Sequence, residues 1–202
     1  QHKLKAFKPW QRSNQLTPTF YFLGCIWTIF IIDTAIPFVS FNHFGIHPRS
    51  LDGLIGILCS PFLHGGLRHI IANTVPLLVL PLLARLAFQQ RDIVKVMVFG
   101  GIGSGVGTWF FSTGHTVVGA SGVVFALIGF LVARAYFRPS LQTIGVSLFI
   151  ILTYGGTLLS LLGTNPYISW AGHFWGFVSG IVIARFLQHA HPRDLQSPGN
   201  GF

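Results

Sequence analysis

Val118-Gly119-Ala120-Ser121-Gly122-Val123 is the stretch of sequence around which this chain is organised. It lies within residues 96–133, a run that contains no Lys, Arg, Asp or Glu. At about 1.5 Å of rise per residue, this run is nearly twice as long as the ~20 residues that one membrane crossing needs. The run must therefore contain two helices. Because glycine lets the backbone turn and lets other elements approach closely, the small-residue cluster predicts the start of the second helix.

The simplest role for Ser121 is that of an N-cap, since a serine at a helix start commonly accepts a hydrogen bond from a backbone N–H. Other polar residues of the chain suggest a different role. His64, His69 and Asn73 precede the serine, and His173 follows it. Placing a histidine inside a membrane costs free energy, so such a histidine either forms an interhelical hydrogen bond or has a functional role.

The composition is that of a membrane protein. Of the 202 residues, 51% are hydrophobic and only 8% are charged, which is too little charge for the surface of a soluble protein. These proportions predict an all-α, polytopic membrane protein. The net charge of +9 does not indicate a nucleic-acid partner, because the basic residues fall at the ends of apolar runs and form no patch.

Metal and cofactor chemistry is not indicated. The chain has no glutamate, which excludes the HExxH motif of metalloproteases. Cys25 and Cys59 are far apart and form no CxxC, so neither a disulfide framework nor a zinc site is predicted, and we expect no metal and no cofactor. Of the four aspartates, only Asp33 falls inside a predicted span. The other three are expected in loops or tails: Asp52, Asp92 and Asp194.

The chain divides into a basic flank (residues 1–16), a membrane domain of six helices (17–188) and a tail (189–202). The predicted spans are residues 17–39, residues 63–84, two helices within 96–133 and two within 139–184, the last at about 169–187. Breaks are expected at residues 112–115 and 163–166. The loop 40–62 is unusually apolar and is expected to lie at the membrane interface. The glycines of residues 100–107 indicate a tightly packed third helix.

Charge placement predicts the orientation. Eleven of the 13 Lys and Arg residues fall on the side of the amino terminus, and only Arg49 and Arg68 fall on the other. By the positive-inside rule, both termini are cytoplasmic after six crossings. The helix ends that carry His64, Ser121 and His173 then all lie on the outer side.

Spacing places several of these polar groups together. His69 and Asn73 are four residues apart and share one helix face, whereas His64 fits at the helix mouth or just outside it. On the sixth helix, small residues repeat every four positions beside His173, so that helix is able to approach the start of the fourth closely. They are Gly172, Gly176 and Gly180.

A serine hydroxyl beside a neutral imidazole is the minimal activated nucleophile. His173 would take the proton of Ser121 and return it to a leaving group. The oxyanion that forms needs hydrogen-bond donors, which the Ser121 backbone N–H, the Asn73 amide and either His69 or His64 supply.

These motifs resemble those of the rhomboid intramembrane serine proteases. Three signatures occur in the family's order within residues 17–188: His64-Gly-Gly-Leu-Arg-His69-Ile-Ile-Ala-Asn73, Gly119-Ala120-Ser121-Gly122, and Ala171-Gly172-His173 followed by Gly176. The resemblance implies a six-transmembrane-helix bundle. It also implies an intramembrane serine endopeptidase that cleaves transmembrane segments near their outer ends.

The resemblance further implies a role for each site residue. Ser121 is the nucleophile and His173 the general base, while His69 and Asn73 line the oxyanion hole with support from His64 and Gly119. Phe125 stands where some members carry a tyrosine against the catalytic histidine. The Trp-Arg pair often found in the family's first loop is absent, and only Arg49 is nearby.

The implied partners are transmembrane protein substrates and the lipid bilayer, and the implied location is a bacterial inner (plasma) membrane with the active site opening outward. Three other hypotheses remain open. One is a transporter or channel that uses histidines for metal or protons, and another is a rhomboid-like protein that binds membrane clients without cutting them. The third is a cysteine nucleophile, Cys59, beside His64.

Overall fold

The fold is a helical bundle, and the computed structural model describes residues 16–36, 38, 40–162 and 169–187 of it. These residues form seven α-helices and no β-strand. The helices are α1 (Thr17–Ala35), α2 (Gly56–Cys59), α3 (Leu67–Ala84), α4 (Gln90–Phe111), α5 (Ser121–Phe137), α6 (Leu141–Leu158) and α7 (Trp170–Phe186). All except the four-residue α2 contain between 17 and 22 residues.

Four segments of the described chain are long and apolar enough to cross a membrane: Thr17–Ala35, Leu67–Ala84, Gln90–Phe111 and Leu141–Leu162. The last consists of α6 and a 3₁₀ turn, Leu159–Leu162, that extends it. Helix α5 is apolar but shorter. Because only four segments meet both criteria, the count of six crossings stays a prediction.

The uncharged run of residues 96–133 is divided as predicted, since α4 ends at Phe111 and α5 begins at Ser121. The second run, residues 139–184, likewise contains α6 and α7, and the break predicted at 163–166 lies outside the described residues. The amino-terminal flank (residues 1–15) and the carboxy-terminal tail (188–202), including Asp194, lie outside them as well.

Two predicted helix ends are wrong. Helix α1 ends at Ala35 and not at residue 39, because Ile36 precedes a proline and takes an extended conformation (φ −100°, ψ 110°). Helix α3 begins at Leu67 and not at residue 63, because Gly65 and Gly66 are not helical. The later start leaves His64 outside the helix.

The position predicted for Asp92 is also wrong. This residue lies in the first turn of α4 and not in a loop, and it is buried. Its carboxylate accepts a hydrogen bond from Lys95 Nζ, 3.2 Å away. A carboxylate is favourable in the first turn because the helix dipole places partial positive charge there. The charged residues at positions 91–95 are typical of a connection between apolar runs, so the sequence did not predict a helical turn there.

Helices α4, α5 and α7 form the centre of the bundle, and α1 and α6 lie at its periphery. Side chains larger than hydrogen at several glycines of α4 would overlap atoms of α5, α7 and α2, as the tightly packed third helix predicts. These are Gly100 against Ala126, Gly103 against Ser179, Gly105 against Ile57 and Gly107 against Trp175. These contacts hold α4 close to α5 and α7 and so position the helix ends that carry the polar residues.

The loop between α1 and α3 is tied to the end of the bundle that bears Ser121. Ile46 and Val117 pair through two backbone hydrogen bonds of 2.9 Å, and Arg49 Nη1 donates to Ser112 O over 2.8 Å. Apolar side chains of this loop, including Leu51 and Leu58, are exposed. Its location at a membrane interface stays a prediction.

Candidate active site

Ser121 is the first residue of α5, and it is half-buried. Ala120 occupies the N-cap position (φ −80°, ψ 4°), so no side-chain hydrogen bond caps this helix. The Ser121 hydroxyl forms no hydrogen bond with another described residue. The simple N-cap role considered above is therefore wrong.

His173 lies in the first turn of α7 and is buried. The Phe125 ring stacks on its imidazole with a centroid distance of 4.1 Å and an interplanar angle of 15°. Phe125 is one turn after Ser121 on α5, so the two side chains share a helix face. Ser121 and His173 therefore stand on facing surfaces of α5 and α7.

Glycines allow these two helices to touch at the backbone. A Cβ atom at Gly176 would overlap the carbonyl of Gly122, and one at Gly180 would overlap the carbonyl of Ala126. The small-residue stripe predicted on the sixth helix thus meets α5 directly. Any larger residue here would separate the helix of His173 from the helix of Ser121.

Ser104 of α4 supports this contact, and sequence reasoning missed it. Its hydroxyl donates to Gly172 O over 2.7 Å, and Thr108 Oγ1 donates in turn to Ser104 O over 2.8 Å. Both side chains are buried. Their four-residue spacing within an uncharged helix could have indicated such a role, because buried hydroxyls require hydrogen-bond partners.

A second polar group comes from α3 and the residues before it. Asn73 Nδ2 lies 3.0 Å from His64 Nε2, and the His64 and His69 rings meet edge to face at 5.0 Å. A Cβ atom at Gly119 would lie only 2.6 Å from His69 Nε2 and 3.6 Å from Asn73 Nδ2. His69 and Asn73 therefore face the backbone immediately before Ser121.

Gly119 shapes this approach. Its φ of +120° is rarely adopted by residues with side chains, and its N–H donates to Ser60 O over 2.8 Å. This combination turns the chain into α5 while it leaves room for the His69 ring. The first glycine of the Gly-Ala-Ser-Gly signature is thus required for two reasons: its backbone conformation disfavours a side chain, and a side chain would collide with the His69 ring.

His64 is neutral at pH 7. It lies in the loop before α3, where burial lowers its pKa to about 4, with His69 contributing in the same direction. As the Asn73 amide nitrogen donates to Nε2, the imidazole carries its proton on Nδ1. One N–H of the Asn73 amide is used in this bond, and the other stays available to a ligand.

Asp33 belongs to a different region. Its carboxylate accepts hydrogen bonds from Phe41 N (2.5 Å) and Asn42 Nδ2 (3.4 Å), so it orders the turn that follows α1. Cys25 and Cys59 are free thiols, the first exposed and the second half-buried. The described residues contain no group of three or more His, Cys, Asp or Glu side chains placed to hold a metal ion.

Arg49 has a structural role that the sequence did not reveal. Besides its side-chain bond to Ser112 O, its N–H donates to Trp109 O over 3.0 Å. The Trp109 indole donates to Ser50 O over 2.8 Å. A tryptophan of α4 and an arginine of the first loop thus join these segments, although the loop lacks the Trp-Arg pair.

Apolar helices that surround buried histidine and asparagine side chains, beside a half-buried serine, define a polytopic helical membrane protein with a polar site. The chain belongs to the rhomboid family: the Rhomboid domain model matches residues 52–190, which include all of these polar residues.

Relatives agree with this assignment. The chain is 38% identical over 152 residues to an uncharacterized protein of Mycobacterium tuberculosis, an alignment that covers 71% of this chain and 63% of the relative. It is 25% identical over 131 residues to RHOMBOID-like protein 4 of Arabidopsis thaliana, covering 65% of this chain and 33% of that protein. It is also 26% identical over 140 residues to inactive rhomboid protein 2 of Homo sapiens, covering 69% and 16%.

Proposed function

We propose that this protein is an intramembrane serine endopeptidase that uses Ser121 and His173 as a catalytic dyad. The observation that carries the proposal is the contact of α5 with α7, where Phe125, one turn after Ser121, stacks on His173. A serine, an imidazole and separate hydrogen-bond donors on a third helix are the groups that acyl transfer requires.

In the proposed reaction, His173 Nε2 takes the proton of the Ser121 hydroxyl while Oγ attacks the carbonyl carbon of the scissile peptide bond. The proton then passes to the leaving amine, and an acyl-enzyme forms. Water, deprotonated by the same imidazole, attacks the ester and releases Ser121. Hydrogen bonds between catalytic groups are often long without substrate and shorten in the complex, which agrees with the unengaged Ser121 hydroxyl.

The oxyanion of each tetrahedral intermediate would be stabilised by Asn73, His69 and the Ser121 backbone N–H. Asn73 and His69 lie beside Gly119, which is two residues before Ser121 in the sequence. His64 supports this set, since its bond to Nδ2 orients the Asn73 amide.

Asp33→Asn is expected to leave the cleavage rate within about threefold of the parent's. The Asp33 carboxylate accepts hydrogen bonds from Phe41 and Asn42 in the loop and does not contact the His173 imidazole. The measurement is the cleavage rate of protein shown to remain folded. If Asp33→Asn abolishes activity as fully as His173→Ala, an acidic third member operates and the dyad is wrong.

The proposed substrates are transmembrane helices cut near their outer ends. A helical peptide bond is protected by its own hydrogen bonds, so glycine or proline near the cleavage site should favour entry. We expect a substrate with such a residue to be cut at least several-fold faster than the same span built of leucine. Equal rates for the two substrates in proteoliposomes would contradict this part of the proposal.

Both termini are proposed to be cytoplasmic, with the connection between α4 and α5 outside the cell. Single cysteines placed at Thr113 and near Arg138, in a chain without Cys25 and Cys59, test this. An impermeant maleimide should label the Thr113 position in intact cells and the Arg138 position only after lysis. The reverse pattern would overturn the orientation.

A further inference from the structure

Ser160 makes a contact with His173 that none of the roles above explains. It lies in the 3₁₀ turn Leu159–Leu162 and is half-buried. Its Oγ is 2.7 Å from His173 Nδ1 and also 2.7 Å from the carbonyl oxygen of Thr157. The imidazole of α7 is therefore bonded to the end of α6 on the ring nitrogen that the proposed reaction does not use.

The two short distances determine the direction of both hydrogen bonds. A carbonyl oxygen only accepts, so the Ser160 hydroxyl proton must point to Thr157 O. The Ser160 oxygen then has only lone pairs to offer, and it must accept from His173. In the neutral imidazole the proton therefore sits on Nδ1, and Nε2 keeps the lone pair that a general base needs.

We infer that Ser160 is a positioning residue that holds His173 in the Nδ1–H tautomer through the relay Thr157 O, Ser160 Oγ, His173 Nδ1. This inference rests on the proposed function for its catalytic meaning, although the tautomer itself does not depend on it. Ser160 acts through the imidazole and does not touch the reacting bond.

Two contacts together restrict the ring. Phe125 stacking fixes the plane of the imidazole, and the bond to Ser160 fixes its rotation within that plane. A wrong tautomer would place a proton on Nε2 and prevent it from accepting the one on Ser121. The position that an acidic residue holds in a Ser-His-Asp triad is thus held here by a neutral hydroxyl, which orients the imidazole without adding charge.

The first test is spectroscopic and requires no catalysis. Protein labelled with ¹⁵N-histidine is compared with Ser160→Ala and Ser160→Thr, and the signals lost in His173→Asn assign the His173 ring. We expect the Nδ1–H tautomer in the parent and in Ser160→Thr, which keeps the hydroxyl, and a mixture of tautomers in Ser160→Ala. An Nε2–H tautomer in the parent, or an unchanged tautomer in Ser160→Ala, would overturn the inference.

The second test measures the rate at which a fluorophosphonate labels Ser121. Loss of one hydrogen bond to the ring is expected to slow labelling by about tenfold in Ser160→Ala, with recovery in Ser160→Thr. Leu159→Ala is the matched control, because it changes an exposed side chain of the same 3₁₀ turn and leaves all three members of the relay in place. Equal loss in Leu159→Ala and Ser160→Ala would indicate a general effect on the end of α6 and contradict the relay.

The two tests separate the inference from the proposed function. A parent protein that shows the Nδ1–H tautomer but does not react with the probe would refute the protease and retain the role of Ser160 in orienting His173. A reactive parent whose labelling and tautomer are both insensitive to Ser160→Ala would refute the role of Ser160 and retain the protease.

Discussion

Replacing Ser121 with alanine is expected to abolish cleavage of a transmembrane substrate and covalent labelling by a fluorophosphonate. The probe forms its phosphorus–oxygen bond with an activated hydroxyl and loses fluoride, so both readouts require the same oxygen atom. His173→Ala is expected to reduce both as well, because it removes the imidazole that takes the hydroxyl proton in the proposed reaction. Members of a catalytic unit act together, and either loss should lower the rate by at least about 10⁴-fold.

Ser112→Ala is the matched control for this experiment. Ser112 lies at the same end of the bundle, and its hydrogen bonds are made by its backbone: the carbonyl accepts from Arg49 and the N–H donates to Thr108 O. Both survive the substitution. The control should be labelled like the parent. Labelling that persists in Ser121→Ala, or cleavage that depends instead on Cys59, would refute the proposed nucleophile.

The same experiment decides between a protease and a protein that binds clients without cutting them. The non-catalytic alternative is tested because the chain is similar to inactive rhomboid protein 2. A folded parent protein that neither cleaves nor reacts with the probe would support the non-catalytic function. Both Ser121 and His173 would then need another explanation.

The helical architecture was predictable because it depends on local composition. Residues 96–133 are too long for one crossing and contain a glycine cluster, and the structure divides them at that cluster. The spacing of His69 and Asn73 likewise predicted a shared helix face, and both now lie beside Gly119. The length of an apolar run, the placement of charges and the helical spacing of polar residues can all be read from the sequence alone.

Contacts between distant segments were not predictable in the same way. The bonds from Ser104 to Gly172 and from Ser160 to His173 depend on how α4, α6 and α7 pack, and hydroxyls on apolar helices have no spacing that identifies their partners. Asp33 illustrates the same limit. Its predicted position inside the first span is confirmed by α1, but the bond of its carboxylate to the turn after that helix was not predictable.

Gly119→Ala is expected to inactivate the protein while leaving it folded. The new methyl group would lie 2.6 Å from His69 Nε2, closer than two such atoms approach, so the imidazole must move. Displacing one oxyanion donor typically costs about 10² to 10³ in rate. The backbone adds to the effect, since a side chain at φ +120° is strained by about 1–3 kcal/mol.

Gly114→Ala separates these two causes. Gly114 also has a positive φ, +96°, but a Cβ atom there would have nothing within 4 Å. It should therefore show the backbone strain without the steric effect on His69. We expect Gly114→Ala to lower thermal stability slightly and to keep most of the labelling and cleavage rates.

The double variant of Gly119→Ala and His69→Ala completes the argument. If the methyl group acts by displacing His69, removing that ring also removes the collision, and the double variant should be little slower than His69→Ala alone. Strong non-additivity of this kind is what contact between two residues produces. Fully additive losses would mean that Gly119→Ala acts through the backbone before Ser121, and His69 would then have to be removed from the proposed oxyanion site.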